Sequence, residues 1–115
     1  MIITKEAPHM YFDVDSTLVR PILEKEITMS NTTILIGDII FRVNHEIIND
    51  IKLCKVRGHV VVIWSQGGSS WAAKVIAALG LSSYVDICMA KPSWYVDDRQ
   101  PEDILDKSRW YDGNF

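Results

Sequence analysis

Three short apolar segments, each followed directly by polar residues, most constrain how this chain can fold. They span residues 10–12, 59–64 and 84–89 and are rich in aromatic, valine and isoleucine side chains. Runs of this length and composition are typical of buried β-strands. Because the carboxyl ends of parallel strands meet at one edge of a sheet, we expect the polar residues that follow them to lie together.

The stretches between these segments have the spacing of amphipathic helices. One follows Asn44 and ends at Gly58, and the other follows Ser69 or Ser70 and ends at Gly80. Asn and Ser favour the N-cap of a helix, and Gly favours the position just past its end. We therefore predict that Asn44 and one of the two serines cap these helices. Strands that alternate with helices predict a parallel sheet and an α/β fold.

The remaining segments have weaker patterns. Residues 94–96 are aromatic and β-branched and precede two aspartates, which indicates a fourth short strand. Residues 32–43 are β-branched around a central Gly-Asp pair, which predicts a hairpin or flap. Residues 20–31 contain a proline and are expected to be irregular. One helical turn is expected within residues 103–107.

Composition excludes several classes of protein. A chain of 115 residues is one domain, and its net charge of -3 gives no global attraction for nucleic acid or anionic membrane. No apolar run approaches the roughly 20 residues that span a bilayer, and the N-terminus lacks the pattern of a signal peptide. Cys54 and Cys88 belong to no zinc-binding spacing, so we expect buried, reduced thiols. A cytoplasmic protein without a membrane partner is the expectation.

The pair Asp13 and Asp15, with Thr17 beyond it, is the first candidate site. A carboxylate can attack phosphorus and form an aspartyl-phosphate, and a second one nearby can serve as general acid. Two carboxylates also suit Mg²⁺, which binds oxygen ligands together with substrate phosphate. A turn or helix cap would use the same residue types, so this pair alone leaves both interpretations open.

Polar residues also follow the other predicted strands. Ser65 and Gln66 open a glycine-containing turn before a helix. A hydroxyl and backbone N–H groups in such a turn can hold a phosphate. An ordinary strand–helix turn has the same composition, so both interpretations stay open. Lys91 would offset negative charge there, or be a plain surface lysine. Asp97 and Asp98 would complete a metal shell or form an acidic turn.

Taken together, these pieces resemble the motifs of the haloacid dehalogenase superfamily, and specifically its phosphatases. They read FDVDST at residues 12–17, VVIWSQ at 61–66, Lys-Pro at 91–92 and YVDD at 95–98. They occur in the family's order, each at a predicted strand end, over most of the chain. Many members have Gly where this chain has Ser16.

The resemblance implies a role for each of these residues. Asp13 would be the nucleophile and a metal ligand, and Asp15 the general acid and base, which also reaches the metal. The phosphate would be held by Thr17, Ser65, Gln66 and Lys91. The cofactor would be Mg²⁺, with Asp98 favoured over Asp97 as a further ligand.

The resemblance also implies a Rossmann-like three-layer sandwich with a minimal parallel sheet in the order 3-2-1-4. Residues 1–115 would form a single hydrolase domain with no room for a cap domain. Capless relatives often act on large substrates or close the site with another subunit. Residues 32–43 would partly cover the site or serve in dimerisation, so a homo-oligomer closing the open site is one expected assembly.

These expectations support a Mg²⁺-dependent phosphomonoesterase that works through an aspartyl-phosphate. Its partner would be a phosphorylated small molecule or macromolecule, such as a nucleotide or a nucleic-acid phosphate. A catalytically silent binding or regulatory module of the same fold is the alternative. A receiver-like phospho-acceptor domain is disfavoured because its acceptor carboxylate normally sits on a later strand than its paired acids.

Overall fold

The computed structural model describes residues 7–28 and 32–115. Short 3-10 turns lie at Glu24–Glu26, Ser82–Tyr84 and Lys107–Arg109. The strands and helices, in chain order, are β1 (His9–Asp13), β2 (Val19–Pro21), β3 (Thr33–Ile36), β4 (Ile39–Val43), α1 (His45–Val56), β5 (Val60–Ser65), α2 (Ser69–Ala78), β6 (Ile87–Ala90) and α3 (Pro101–Ile104). The chain is therefore an α/β protein, as predicted.

The three apolar segments form one parallel sheet in the order β1-β5-β6. In its register Asp13 lies beside Trp64, and Ser65 lies beside Ala90. Parallel neighbours need a crossover between them, and α1 and α2 supply the two that lead into β5 and β6. The polar residues that follow β1, β5 and β6 consequently share one edge of the sheet.

The predicted fourth strand is wrong. Residues 94–96 are outside every strand, and Trp94 and Val96 are almost fully exposed. The reason lies in the connection: β6 ends at Ala90, and only three residues separate it from Trp94. A parallel neighbour requires a crossover of about a dozen residues, so this segment cannot return to the start of the sheet.

The predicted hairpin is confirmed. Strands β3 and β4 pair antiparallel, with Ile36 opposite Ile39 across a turn in which Gly37 has φ 62°. That left-handed backbone favours glycine. The expectation of irregular structure after Val19 is wrong in part, because β2 pairs with the other edge of β4 and completes a second, three-stranded sheet. Residues 29–31 of that segment lie outside the described residues.

The two predicted helices are present, and the predicted N-cap residue is correct for α1 but not for α2. Asn44 occupies the N-cap of α1, yet its side chain makes no cap and instead donates to the backbone carbonyl of Thr17. The N-cap of α2 is Gly68, and Ser69 is already the first helical residue. A tertiary hydrogen bond to the Thr17 carbonyl thus replaces the local capping bond that the sequence predicts for the Asn44 side chain.

One face of the parallel sheet carries the hydrophobic core. Val61 and Ile63 of β5 belong to a buried cluster with residues of α1, α2 and the hairpin, and Phe12 packs against it. Right-handed crossovers that advance in one direction along a sheet place their helices on the same side. The described residues therefore supply one helical layer, and the third layer of the predicted sandwich is not among them.

The opposite face holds the alternate side chains of the same strands. Strand residues i and i+2 point the same way, so Tyr11 of β1 shares this face with Val62 and Trp64 of β5. Val62 is fully buried but lies outside the core cluster, while Tyr11 is 43% exposed. The Tyr11 and Trp64 rings are in contact on this face, with centroids 4.7 Å apart.

Both cysteines are reduced and half-buried, as predicted. Cys54 lies in α1 and Cys88 in β6. Burial is the main reason that the pKa of each thiol is raised above its ordinary value. Both thiols therefore hold their protons at neutral pH.

The C-terminal tail begins at Lys91 and is largely exposed up to residue 112. Its last residue returns to the antiparallel sheet, where the Phe115 ring lies about 5.5 Å from the guanidinium groups of Arg20 and Arg42. The predicted helical turn in the tail is present as α3 and the turn after it. None of the helices in the described ranges is long and apolar enough to cross a membrane.

Candidate active site

Asp13 is the last residue of β1, and its two carboxylate oxygens differ in their surroundings. Oδ1 accepts a 2.8 Å hydrogen bond from the backbone N–H of Val14 and lies 3.2 Å from the ammonium of Lys91. Among the described residues, no hydrogen bond or ion pair engages Oδ2. One oxygen therefore fixes the orientation of the carboxylate, and the other is left available to a ligand.

The Lys91 side chain reaches the Asp13 carboxylate from the opposite edge of the parallel sheet. It directly follows β6, which is separated from β1 by β5. Its backbone N–H donates to the carbonyl of Ser65 at 2.9 Å, which fixes the start of its side chain. The side chain crosses the indole of Trp64 on its way, with Nζ 5.8 Å from the ring centroid. The cation is thus held at the carboxyl ends of all three strands.

Asp15 accepts hydrogen bonds from side chains of β5 and α2. The hydroxyl of Ser65 donates to Oδ2 at 3.3 Å, and the indole N–H of Trp71 donates to Oδ1 at 3.2 Å. Ser65 ends β5 and Trp71 lies in the first turn of α2. Both oxygens of this exposed carboxylate are therefore oriented by groups from another part of the chain.

The turn after Ser65 is tightly built. The buried hydroxyl accepts a 2.9 Å hydrogen bond from the N–H of Gly67, so it donates to Asp15 and accepts from the turn at once. A Cβ at Gly67 would stand 2.9 Å from Cδ1 of Trp71 and 3.2 Å from the Ser65 hydroxyl. Only glycine fits between these two side chains, so residue 67 helps to set the position of both.

The backbone between Asp15 and Val19 turns sharply. Ser16 has φ 65°, and its N–H donates to the carbonyl of Val19 at 2.8 Å. The carbonyl of Val14 accepts from three successive N–H groups. This turn moves Asp15 off the line of β1 and towards Ser65, and its left-handed residue explains why glycine suits that position.

The side chains of two predicted phosphate-binding residues make no hydrogen bond to this group among the described residues. Thr17 packs against the C-terminal tail, where a Cβ at Gly113 would stand 2.7 Å from its Cγ2. No hydrogen bond in the described part of the chain joins the Thr17 side chain to Asp13 or Asp15. Gln66 is exposed in the turn after β5. The structure thus brings together the predicted residues Asp13, Asp15, Ser65 and Lys91.

The predicted metal ligands in the tail do not join them. Asp97 and Asp98 are exposed, and the Asp97 carboxylate accepts from the N–H of Arg99. Across residues 7–28 and 32–115, no three His, Cys, Asp or Glu side chains are grouped to hold a metal ion. The all-oxygen donor set of Asp13 and Asp15 still suits Mg²⁺, which binds through one or two carboxylates plus phosphate and water.

Sequence reasoning missed Trp71. Trp71 contacts Asp15 through its indole N–H while its ring lies 5.7 Å from that of Phe41 in the hairpin. The available signal was its place in the first turn of the helix that begins at the site. Trp64 is half-buried on the face opposite the core cluster.

The fold and site define an α/β protein with a two-carboxylate, one-lysine centre at the carboxyl edge of a parallel sheet. No protein-family model, curated protein or solved structure matches the chain.

Proposed function

We propose that this chain is a Mg²⁺-dependent phosphomonoesterase of the haloacid dehalogenase type, with Asp13 as covalent nucleophile. One observation carries the proposal: Asp13 has one oxygen fixed by Val14 and Lys91 and the other unengaged among the described residues. A carboxylate held in this way is oriented for attack, and Lys91 stands where negative charge would develop on a phosphoryl group.

The first step is attack of Asp13 Oδ2 on phosphorus. A bond forms between that oxygen and phosphorus while the bond to the ester oxygen breaks. Asp15, in its protonated form, gives its proton to the departing oxygen, so the leaving group is released as an alcohol. The Lys91 ammonium lies at the same sheet edge and would stabilise the phosphoryl oxygens.

The second step regenerates the enzyme. Asp15, now a carboxylate, takes a proton from water, and the water oxygen attacks phosphorus. The bond between phosphorus and Asp13 breaks, which returns the Asp13 carboxylate and releases inorganic phosphate. The hydrogen bonds from Ser65 and Trp71 hold the Asp15 carboxylate in place for this proton transfer.

Mg²⁺ would be held by Asp13 and Asp15 and would neutralise charge on the phosphoryl group. Asp98, or Asp97 in its place, would become a ligand only after a movement of the exposed tail. The Asp13 carboxylate and the Asp15 backbone carbonyl, together with phosphate and water, would supply the oxygen ligands that Mg²⁺ prefers. The proposal therefore does not depend on that movement.

The second candidate function is a binding or regulatory module without turnover. The position of Asp97 and Asp98 favours it, because a site with two grouped acids binds a metal ion more weakly than one with three. The site geometry around Asp13 and Asp15 argues against it, since orienting hydrogen bonds reach both carboxylates.

Hydrolysis of a generic aryl phosphate with Mg²⁺, and again with chelator, tests the proposal. The wild type and Asp13→Asn are compared with the control Asp38→Asn, which removes an exposed acid in the hairpin turn. We expect turnover by the wild type and by Asp38→Asn that needs Mg²⁺, and none by Asp13→Asn. Equal rates for Asp13→Asn and the wild type would reject the proposal.

A further inference from the structure

The face of the parallel sheet opposite the core presents aromatic and apolar side chains to solvent. Tyr11 is 43% exposed and Ile87 is 44% exposed, and Trp64 and Met89 are partly exposed between them. The Tyr11 and Trp64 rings are in contact, with centroids 4.7 Å apart and planes tilted by 57°. In the described ranges no helix belongs to this face, because the residues of α1 and α2 that pack on the sheet lie in the core cluster.

The aromatic pair Tyr11 and Trp64 lies next to the candidate active site. Asp13 and Trp64 are direct neighbours in the register, and their side chains stand on the same face as Tyr11. The Lys91 ammonium lies over the Trp64 ring and beside the Asp13 carboxylate. A substrate whose phosphate is held by Lys91 therefore lies next to the Trp64 ring, because Trp64 is the neighbour of Asp13 on the adjacent strand.

We propose that Tyr11 and Trp64 form a stacking platform for the base of a nucleotide or of a nucleic-acid end, which makes the substrate a base-bearing phosphate ester. The inference rests on the proposed function, because it takes the phosphate to be held beside Asp13. Aromatic side chains stack on any base through its planar face, and no hydrogen-bond readout is required. The chain's net charge of -3 gives no global attraction for nucleic acid, so stacking of the base supplies part of the affinity.

Core packing is the competing explanation for these rings, and the geometry disfavours it. A ring that exists to fill the core lies against buried aliphatic side chains, whereas Tyr11 keeps nearly half of its surface open. Trp64 is covered by Tyr11 and Lys91 rather than by a helix. Both contacts are at the rim of the site, where Lys91 pairs with Asp13 and Tyr11 is 43% exposed.

The test is calorimetric binding of a nucleoside monophosphate and of ribose phosphate, in an Asp13→Asn background with Mg²⁺ so that neither ester is consumed. The ratio of the two affinities isolates the contribution of the base from that of Lys91. We expect a ratio of about tenfold or more, since stacking on an aromatic side chain contributes about that factor. It should fall to near one in Trp64→Leu and remain in Trp64→Phe.

Matched variants keep the test independent of folding. Trp94→Leu removes an exposed tryptophan of the tail and should leave the ratio unchanged. Tyr11→Leu changes a partly exposed ring and should lower the ratio even if Trp64→Leu fails to fold. Equal affinities for the two ligands in the otherwise unaltered protein would overturn the proposal. So would a base preference that survives both Trp64→Leu and Tyr11→Leu.

Two further comparisons distinguish failure of the stacking platform from failure of the phosphatase proposal. If Trp64-dependent base preference is found but the wild type hydrolyses no ester, the platform stands and the phosphatase proposal falls. If esters are hydrolysed without base preference, the platform falls and the phosphatase proposal stands.

A single-stranded oligonucleotide with a terminal phosphate, tested beside the mononucleotide, distinguishes a nucleic-acid end from a free nucleotide. Tighter binding of the oligonucleotide assigns the platform to nucleic-acid ends.

Discussion

The ammonium of Lys91 lies 3.2 Å from Oδ1 of Asp13, although their strands are separated by β5. The contact joins the first and last strands of the parallel sheet at their carboxyl ends. Both side chains are about 30% exposed, so the pair contributes at most about 1 kcal/mol to folding. Its main consequence is therefore for the chemistry of Asp13 rather than for stability.

Replacement of Lys91 by Met should lower the turnover of phosphate esters by about 10²–10³-fold, because loss of one preorganised donor at a reacting oxygen has roughly that effect. Initial rates with a saturating ester measure it. Lys74→Met, which removes an exposed lysine of α2, is the matched control and should leave the rate unchanged. A Lys91→Met enzyme with wild-type turnover would show that this cation does not act on the phosphoryl group.

Replacement of Trp71 by Phe should impair Asp15 without disturbing the ring contact with Phe41. The variant loses the indole N–H that donates to Asp15 Oδ1, so the carboxylate is less well positioned. In single turnovers that measure the attack of Asp13, the rate should fall about tenfold for an alkyl phosphate, which needs a proton on its leaving oxygen, and little for a nitrophenyl phosphate. KM should change little for either ester.

The comparison of the two leaving groups separates positioning from structure. A general loss of folding would lower both rates equally, and Trp94→Phe in the exposed tail should lower neither. If Trp71→Phe slows the first step of both esters to the same extent, the hydrogen bond to Asp15 has no role in proton transfer to the leaving group.

Replacement of Ser16 by Gly should stabilise the protein. Its φ of 65° is left-handed, a conformation that costs a residue with a Cβ about 1–2 kcal/mol, whereas glycine adopts it freely. The greater freedom of glycine in the unfolded chain offsets part of this gain, which leaves up to about 1 kcal/mol. Urea denaturation measures the free energy of unfolding.

The matched control is Ser70→Gly, in the first turn of α2. Helical backbone disfavours glycine, so the same substitution should lower the free energy of unfolding by about 0.5–1 kcal/mol. Destabilisation by Ser16→Gly would mean that the serine side chain makes a contribution larger than the backbone strain.

Asp86 should make stability depend on acidic pH. Its pKa is lowered first by the hydrogen bond from Lys55 and then by the one from the backbone N–H of Val61. Because the pKa is lower in the folded than in the unfolded state, the stabilisation is complete above the ordinary aspartate pKa of about 3.9 and is lost as the pH falls through the folded value.

Asp86→Asn should therefore lower the free energy of unfolding at pH 7 and converge with the wild type in acid. Chemical denaturation at a series of pH values measures this difference. The control Asp38→Asn, at an exposed hairpin turn, should leave the pH profile unchanged. A difference between Asp86→Asn and the wild type that persists unchanged below pH 3 would contradict the account.

The parallel sheet and its two helices could be predicted because strand and helix periodicities are local properties of the sequence. The grouping of Asp13, Asp15, Ser65 and Lys91 followed from the common edge at which parallel strands end. The Asn44 side chain could not be placed, because a carbonyl 27 residues earlier competes for it with the helix end.

The error at residues 94–96 was avoidable from the sequence. Composition favoured a strand, but the three residues after Ala90 are too few for a parallel crossover. Without that strand the chain does not reverse direction across the sheet, so no helix within residues 7–28 and 32–115 packs on the second face. Its aromatic side chains stay open beside Asp13, which local patterns could not indicate.

The central claim is that Asp13 becomes covalently phosphorylated, and one measurement tests it most directly. Asp15→Asn should slow release of the phosphoryl group, so a nitrophenyl phosphate should give a burst of one product followed by slow turnover. After acid quenching and proteolysis, mass spectrometry should find one phosphoryl group on the peptide that contains Asp13. A peptide without that group during steady turnover, or a phosphoryl group on a different residue, would contradict the account.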